Sequence, residues 1–124
     1  MIRLLITLFV FVLLACDLVN PLPDPEPVPV GRFNSIEMQG KTVTFDINCV
    51  TPELCWEYSS YDKSTSDYLS SITVYGQRTT NNLCAQEVSS FDVAISISVP
   101  SAGNYTFKFW QRSDSTLDTT VFVE

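Results

Sequence analysis

The chain has 124 residues, with 7 Lys and Arg against 14 Asp and Glu, no His and 4 Cys, which is room for one small domain and its appendages. The acidic balance and the scatter of the basic residues exclude a nucleic-acid binder, which needs a clustered basic face to displace phosphate counterions. The lack of His removes Ser-His-Asp and Cys-His catalytic arrangements and His-containing zinc sites.

The chain opens with Met1, Ile2 and Arg3, a short positively charged stretch, followed by an apolar run from Leu4 to Leu14 broken only by Thr7. That run has the length of a signal-peptide core and falls short of the roughly 20 apolar residues that span a bilayer. It ends in Leu13-Leu14-Ala15-Cys16, which resembles the lipobox of bacterial lipoproteins. The resemblance implies recognition through Leu13 and Ala15, removal of residues 1–15, and acylation of Cys16. Leu14 departs from the pattern, which favours a smaller residue there. Removing Arg3 leaves 6 basic against 14 acidic residues. Two or more acyl chains hold a protein stably at a bilayer, so the implied location is the bacterial cell envelope, lipid-anchored on its periplasmic or surface-exposed face.

Five prolines punctuate residues 17–30, at positions 21, 23, 25, 27 and 29. Each removes a backbone donor and biases its predecessor to extended conformations. The segment after Cys16 therefore reads as a polyproline II tether, and 14 residues at about 3.1 Å each give a spacer of up to roughly 40 Å. On this reading the folded domain covers residues 31–124.

Within it the governing signal is alternation with period two. Val43, Phe45, Ile47 and Cys49 share one strand face, as do Val93, Ile95, Ile97 and Val99, and then Tyr105, Phe107 and Phe109. Further strands are expected at Phe33 to Gln39, Leu54 to Tyr61, Leu69 to Arg78 and Leu117 to Val123, with turn residues between them. Seven short strands predict an all-β antiparallel sandwich that resembles the immunoglobulin fold. Trp56, early in the third strand where such sandwiches bury a tryptophan, and Tyr105, placed as a tyrosine corner, carry that resemblance. Phe107 stands where the second cysteine of antibody domains would be, so Cys49 cannot make their inter-sheet bridge. A looser likeness, in the Cys55-Trp56 pair, Cys84 and the run from Gly103 to Trp110, is to small secreted bacterial lipoproteins and carries no activity with it.

Once Cys16 is set aside, three cysteines remain for an oxidising compartment. Cys55 with Cys84 is the favoured disulfide, stapling an irregular polar segment and leaving Cys49 as a buried thiol; Cys49 with Cys55, across the turn at Pro52, is the competitor. No Cys-x-x-Cys pair suggests redox chemistry. Asp62 with Asp67, and Asp114 with Asp118, bracket polar turns but lack the alternating ligands and central Gly of a calcium loop, so neither a metal nor a cofactor is expected. Catalytic carboxylates need a pKa raised by burial, whereas these acids fall on polar faces, so no catalytic residue is named and a non-enzymatic module is expected. Tyr58, Tyr61, Tyr68, Tyr75 and Trp110 are the candidate binding residues, since exposed Tyr and Trp anchor partners or stack on sugars. The expected role is a membrane-anchored envelope lipoprotein displaying a binding or structural module for an envelope protein or glycan. The alternative is a protease inhibitor that presents the end loops Thr79 to Val88 and Asp62 to Ser66 to an active site.

Overall fold

The computed structural model describes residues 21–124, so Leu13, Ala15 and Cys16 lie outside the described residues. Eight strands follow in order: β1 Glu26–Pro27, β2 Val30–Gln39, β3 Thr42–Thr51, β4 Trp56–Ser66, β5 Leu69–Arg78, β6 Ser89–Ser98, β7 Gly103–Arg112 and β8 Ser115–Val123. They form a β-sandwich of one five-stranded and one three-stranded sheet. β2, β3 and β6 make the smaller sheet; in the larger, β5 pairs with β4 on one side and with β1 and β7 on the other, and β8 closes the far edge against β7.

The period-two alternation sets the inner faces. Val43, Phe45, Ile47 and Cys49 of β3 and Tyr105, Phe107 and Phe109 of β7 are buried almost completely. Phe45 meets Phe107 and Phe109 edge-on, with ring centroids 4.8 and 5.1 Å away, and Phe33 meets Phe109 at 5.3 Å, so aromatic rings join the two sheets. On the outer face of the smaller sheet the alternate residues form a polar ladder. Thr42 and Ser98 lie 3.0 Å apart, Thr44 and Ser96 2.8 Å apart, and Asn34 and Asn48 each donate to Asp92 at 2.9 Å. These bonds hold the Asp92 carboxyl below the usual carboxylate range.

Three features differ from the sequence reading. The tether does not extend to Val30. Val28 and Val30 are buried in the core, β1 pairs with β5, Val28 N–H donates to the Val74 carbonyl at 2.9 Å, and Val50 N–H donates to Pro29 at 2.9 Å. Proline forbids donation but not acceptance, and the intervening valines supply the apolar contacts that a proline count does not reveal. The domain therefore begins before Gly31, and the strands number eight.

The sandwich is also not antiparallel throughout, because β5 and β7 pair in parallel from Leu69 with Thr106 to Ile72 with Phe109. A single strand, β6, intervenes between them in the other sheet, so the chain returns to the larger sheet running in its original direction. The pair departs from the wholly antiparallel sandwich expected from the alternation. Finally, Trp56 is only half-buried and packs on the rim of the core. Its ring leaves so little room beside β5 that a Cβ on Gly76 would lie 3.2 Å from it and 2.9 Å from Val28, so glycine is required there.

The strand directions define two ends. The proximal end carries residues 21–25, the β3–β4 connection, the β5–β6 connection and the β7–β8 turn. The distal end carries the β2–β3 and β4–β5 turns, the β6–β7 connection and Glu124.

Candidate functional site

A polar cleft of about 600 Å³ opens at the distal end. The β4–β5 hairpin supplies Lys63, Thr65, Asp67 and Tyr68, the end of β6 supplies Ser98, and the β6–β7 connection supplies Pro100 and Ser101, with Tyr105 at its base. Two residues turn the hairpin, and Asp67 adopts φ of 54°, which its short polar side chain tolerates. The next residue, Tyr68, is 52 % exposed and lies over Tyr105 with ring centroids 5.0 Å apart. It fits there because Gly103 has no side chain: a Cβ on that residue would come within 2.7 Å of the Tyr68 ring, and its φ of 146° disfavours any other amino acid. The Tyr68 carbonyl accepts from Thr106 N–H at 2.9 Å, which fixes the hairpin to β7.

Tyr105 makes the corner expected of it, donating from its hydroxyl to the Ser101 carbonyl at 2.8 Å. Ser101 Oγ lies 3.3 Å from the same hydroxyl. The cleft thus combines one exposed aromatic face with several hydroxyls, one cation and one anion. Such a surface can stack on a flat ligand and exchange hydrogen bonds with a polar one.

A second, apolar cleft of about 370 Å³ opens at the proximal end, between Pro27, Pro29, Val50, Pro52, Trp56 and Val88. The disulfide between Cys55 and Cys84 braces this end, and Leu54 N–H donates to the Ala85 carbonyl at 3.3 Å beside it. Arg78 Nε lies 3.0 Å from Glu53 Oε1, close enough for an ion pair but without hydrogen-bond alignment. Trp56 Nε1 donates to the same oxygen at 3.4 Å.

The five candidate aromatics do not converge on one surface. Only Tyr68 enters the distal cleft. Tyr61 turns toward the core and reaches the Ser96 carbonyl at 3.4 Å. Tyr58 is exposed on the edge strand β4, where burial followed by the nearby Tyr61 pushes its phenol up. Tyr75 and Trp110 are half-buried on the outer face of the larger sheet. Tyr75 donates to Asp62, and that bond chiefly raises its pKa. The sequence marks Lys63 and Thr65 only as part of the Asp62 to Ser66 segment and does not mark Ser101, because polar residues with solvent on both sides carry no periodic signal.

Three of the four acids in the bracketing pairs have partners of their own. Asp62 is engaged by Tyr75, Asp114 pairs with Arg112 at 3.2 Å, and Asp118 with Lys108 at 3.7 Å. No group of three or more potential ligands is gathered for a metal among the described residues. The two segments considered for protease inhibition lie at opposite ends, residues 79–88 at the proximal end and residues 62–66 in β4 near the distal end. Residues 62–66 are strand rather than loop: their polar side chains hide the alternation, but Lys63 to Ser66 pair in register with Leu69 to Ile72.

The architecture defines a two-sheet β-sandwich, and a family comparison gives it a narrower place. Residues 32–122 match the ORF11 beta-sandwich domain, and the chain belongs to that family. No curated protein and no solved structure gives a significant match.

Proposed function

We propose that the protein is an envelope lipoprotein, held to the membrane through acyl chains on Cys16, and that its β-sandwich is a non-enzymatic module for an envelope protein or glycan. The binding part of this reading is carried by the distal cleft, where an exposed tyrosine is held rigidly over hydroxyl-bearing residues. Rigid aromatics give contact area at low entropic cost, and the hydroxyls give direction. The anchor rests on Leu13-Leu14-Ala15-Cys16 after an apolar core.

Two experiments test the two parts. Mass spectrometry of the mature N-terminus is expected to show a diacylglyceryl adduct on Cys16, and Cys16→Ala to leave the unprocessed precursor; an unmodified mature chain would overturn the anchor. For the module, detergent-extracted protein is immobilised and exposed to envelope extract beside Tyr68→Ala and Lys63→Ala. A species retained by the wild type and lost by both variants, with their melting midpoints unchanged, supports the distal cleft. Equal retention by all three proteins removes it.

A further inference from the structure

The most exposed apolar side chains at the proximal end belong to three short segments. Leu83 is 98 % exposed, Val88 73 %, Leu54 49 % and Leu22 44 %. They come from the β5–β6 connection, the β3–β4 connection and the start of the described chain, and Val88 also lines the apolar cleft beside Trp56. Leu83 precedes Cys84 and Leu54 precedes Cys55, so the disulfide holds the backbone of both exposed leucines close together. Scattered exposed leucines need no explanation, but a braced cluster at one end of a small domain does.

The course of the N-terminal segment says what covers it. Asn81 Nδ2 donates to the Pro21 carbonyl at 2.9 Å, and Gln77 Nε2 to the Pro23 carbonyl at 3.1 Å, so residues 21–23 are bound to the proximal end. Only four residues, 17–20, separate Pro21 from Cys16. Fully extended, the five steps reach at most about 18 Å. A ten-residue strand is about 33 Å long, so with Cys16 held at a lipid surface the molecule cannot stand on its distal end while residues 21–23 keep their bonds, and the proximal end always stays near the surface.

We propose that the proximal end docks on the bilayer, with Leu83, Val88, Leu54 and Leu22 entering the interfacial region. The inference rests on the lipidation of Cys16. Tethering makes docking intramolecular, so a patch too small to recruit a free protein suffices once the acyl chains are inserted. Asp24, Glu26 and Glu87 stand exposed around the patch, which directs the docking to a zwitterionic lipid surface rather than an anionic one.

The test uses acylated protein purified from membranes and reconstituted into phosphatidylcholine vesicles with brominated acyl chains. Leu83→Trp is compared with Phe122→Trp, which marks an exposed position at the distal end. Vesicle flotation reports the anchor; quenching of tryptophan emission, relative to the wild-type background of Trp56 and Trp110, reports docking. The expected result is flotation of both variants, with Leu83→Trp quenched at least twofold more than Phe122→Trp. Adding Val88→Asp to the Leu83→Trp protein is expected to abolish that difference without preventing flotation. Flotation with equal quenching overturns the docking and leaves the anchor standing. Failure to float overturns both.

Discussion

Cys49 is fully buried between β2 and β6, opposite Val30 and Phe91, and burial, followed by the charge of Asp92, pushes its thiol up to about 12. The native state keeps its proton in a pH range where an unfolded chain, with its thiol near 9, loses it. Stability from this group is therefore complete below about pH 9 and falls as pH rises from there through about 12. Alkylation at pH 8 is expected to spare Cys49 in the native protein and to reach it once the chain is denatured. Rapid native labelling would place the thiol outside the core. Asp92 has the opposite sign: its lowered carboxyl contributes stability above its ordinary value near 3.8 that is lost as the solution is acidified through the folded value. At Gly103 the constraint is steric, and Gly103→Ala is expected to displace the Tyr68 ring before it disturbs the core.

The elements most dependent on tertiary structure are β1 and the start of β2. A chain beginning at Gly31 keeps most of the ladders but loses the buried Val28 and Val30. Fully burying each valine contributes about 1.5 to 3 kcal/mol, so the truncated chain is expected to be about 3 to 6 kcal/mol less stable in urea than one beginning at Pro21. Equal midpoints and slopes would show that the N-terminal segment packs on the domain without supporting it. Within the core, Phe107→Ala is expected to cost about 3 to 5 kcal/mol, since its ring is wholly buried and borders Phe45. Reduction of the Cys55–Cys84 bridge, which spans 29 positions, opens a loop whose closure entropy is worth roughly 3 to 4 kcal/mol. The alternating segments of β3, β6 and β7 were legible in the sequence because inward and outward residues differ in polarity at every step. The Glu26–Val30 segment was not, since its prolines describe backbone donors while its burial depends on β5 and β3, remote in sequence. The polar end of β4 was hidden because side chains on both of its faces meet solvent.

For the whole molecule, the sequence carried the two-sheet sandwich and the tyrosine corner at Tyr105, but not the arrangement of its ends. Of the candidate binding residues only Tyr68 lies in the distal cleft, because a face is set by pairing register and a cleft by connections that cross between sheets. The disulfide was legible as the favoured of two pairings: both cysteines border connections that meet at one end, an arrangement consistent with the polar segment around Cys84 but not fixed by spacing alone. The separation of the ends also has a mechanical consequence. A pull between residues 21–23 and a ligand held at Tyr68 acts along the strands. The β2–β3 hydrogen bonds lie across that direction, so their ladder is loaded in shear and many bonds resist together, instead of opening one by one from a free edge. A molecule secured at one end and gripped at the other would then yield at a higher force than the same domain pulled between Pro21 and its β7–β8 turn.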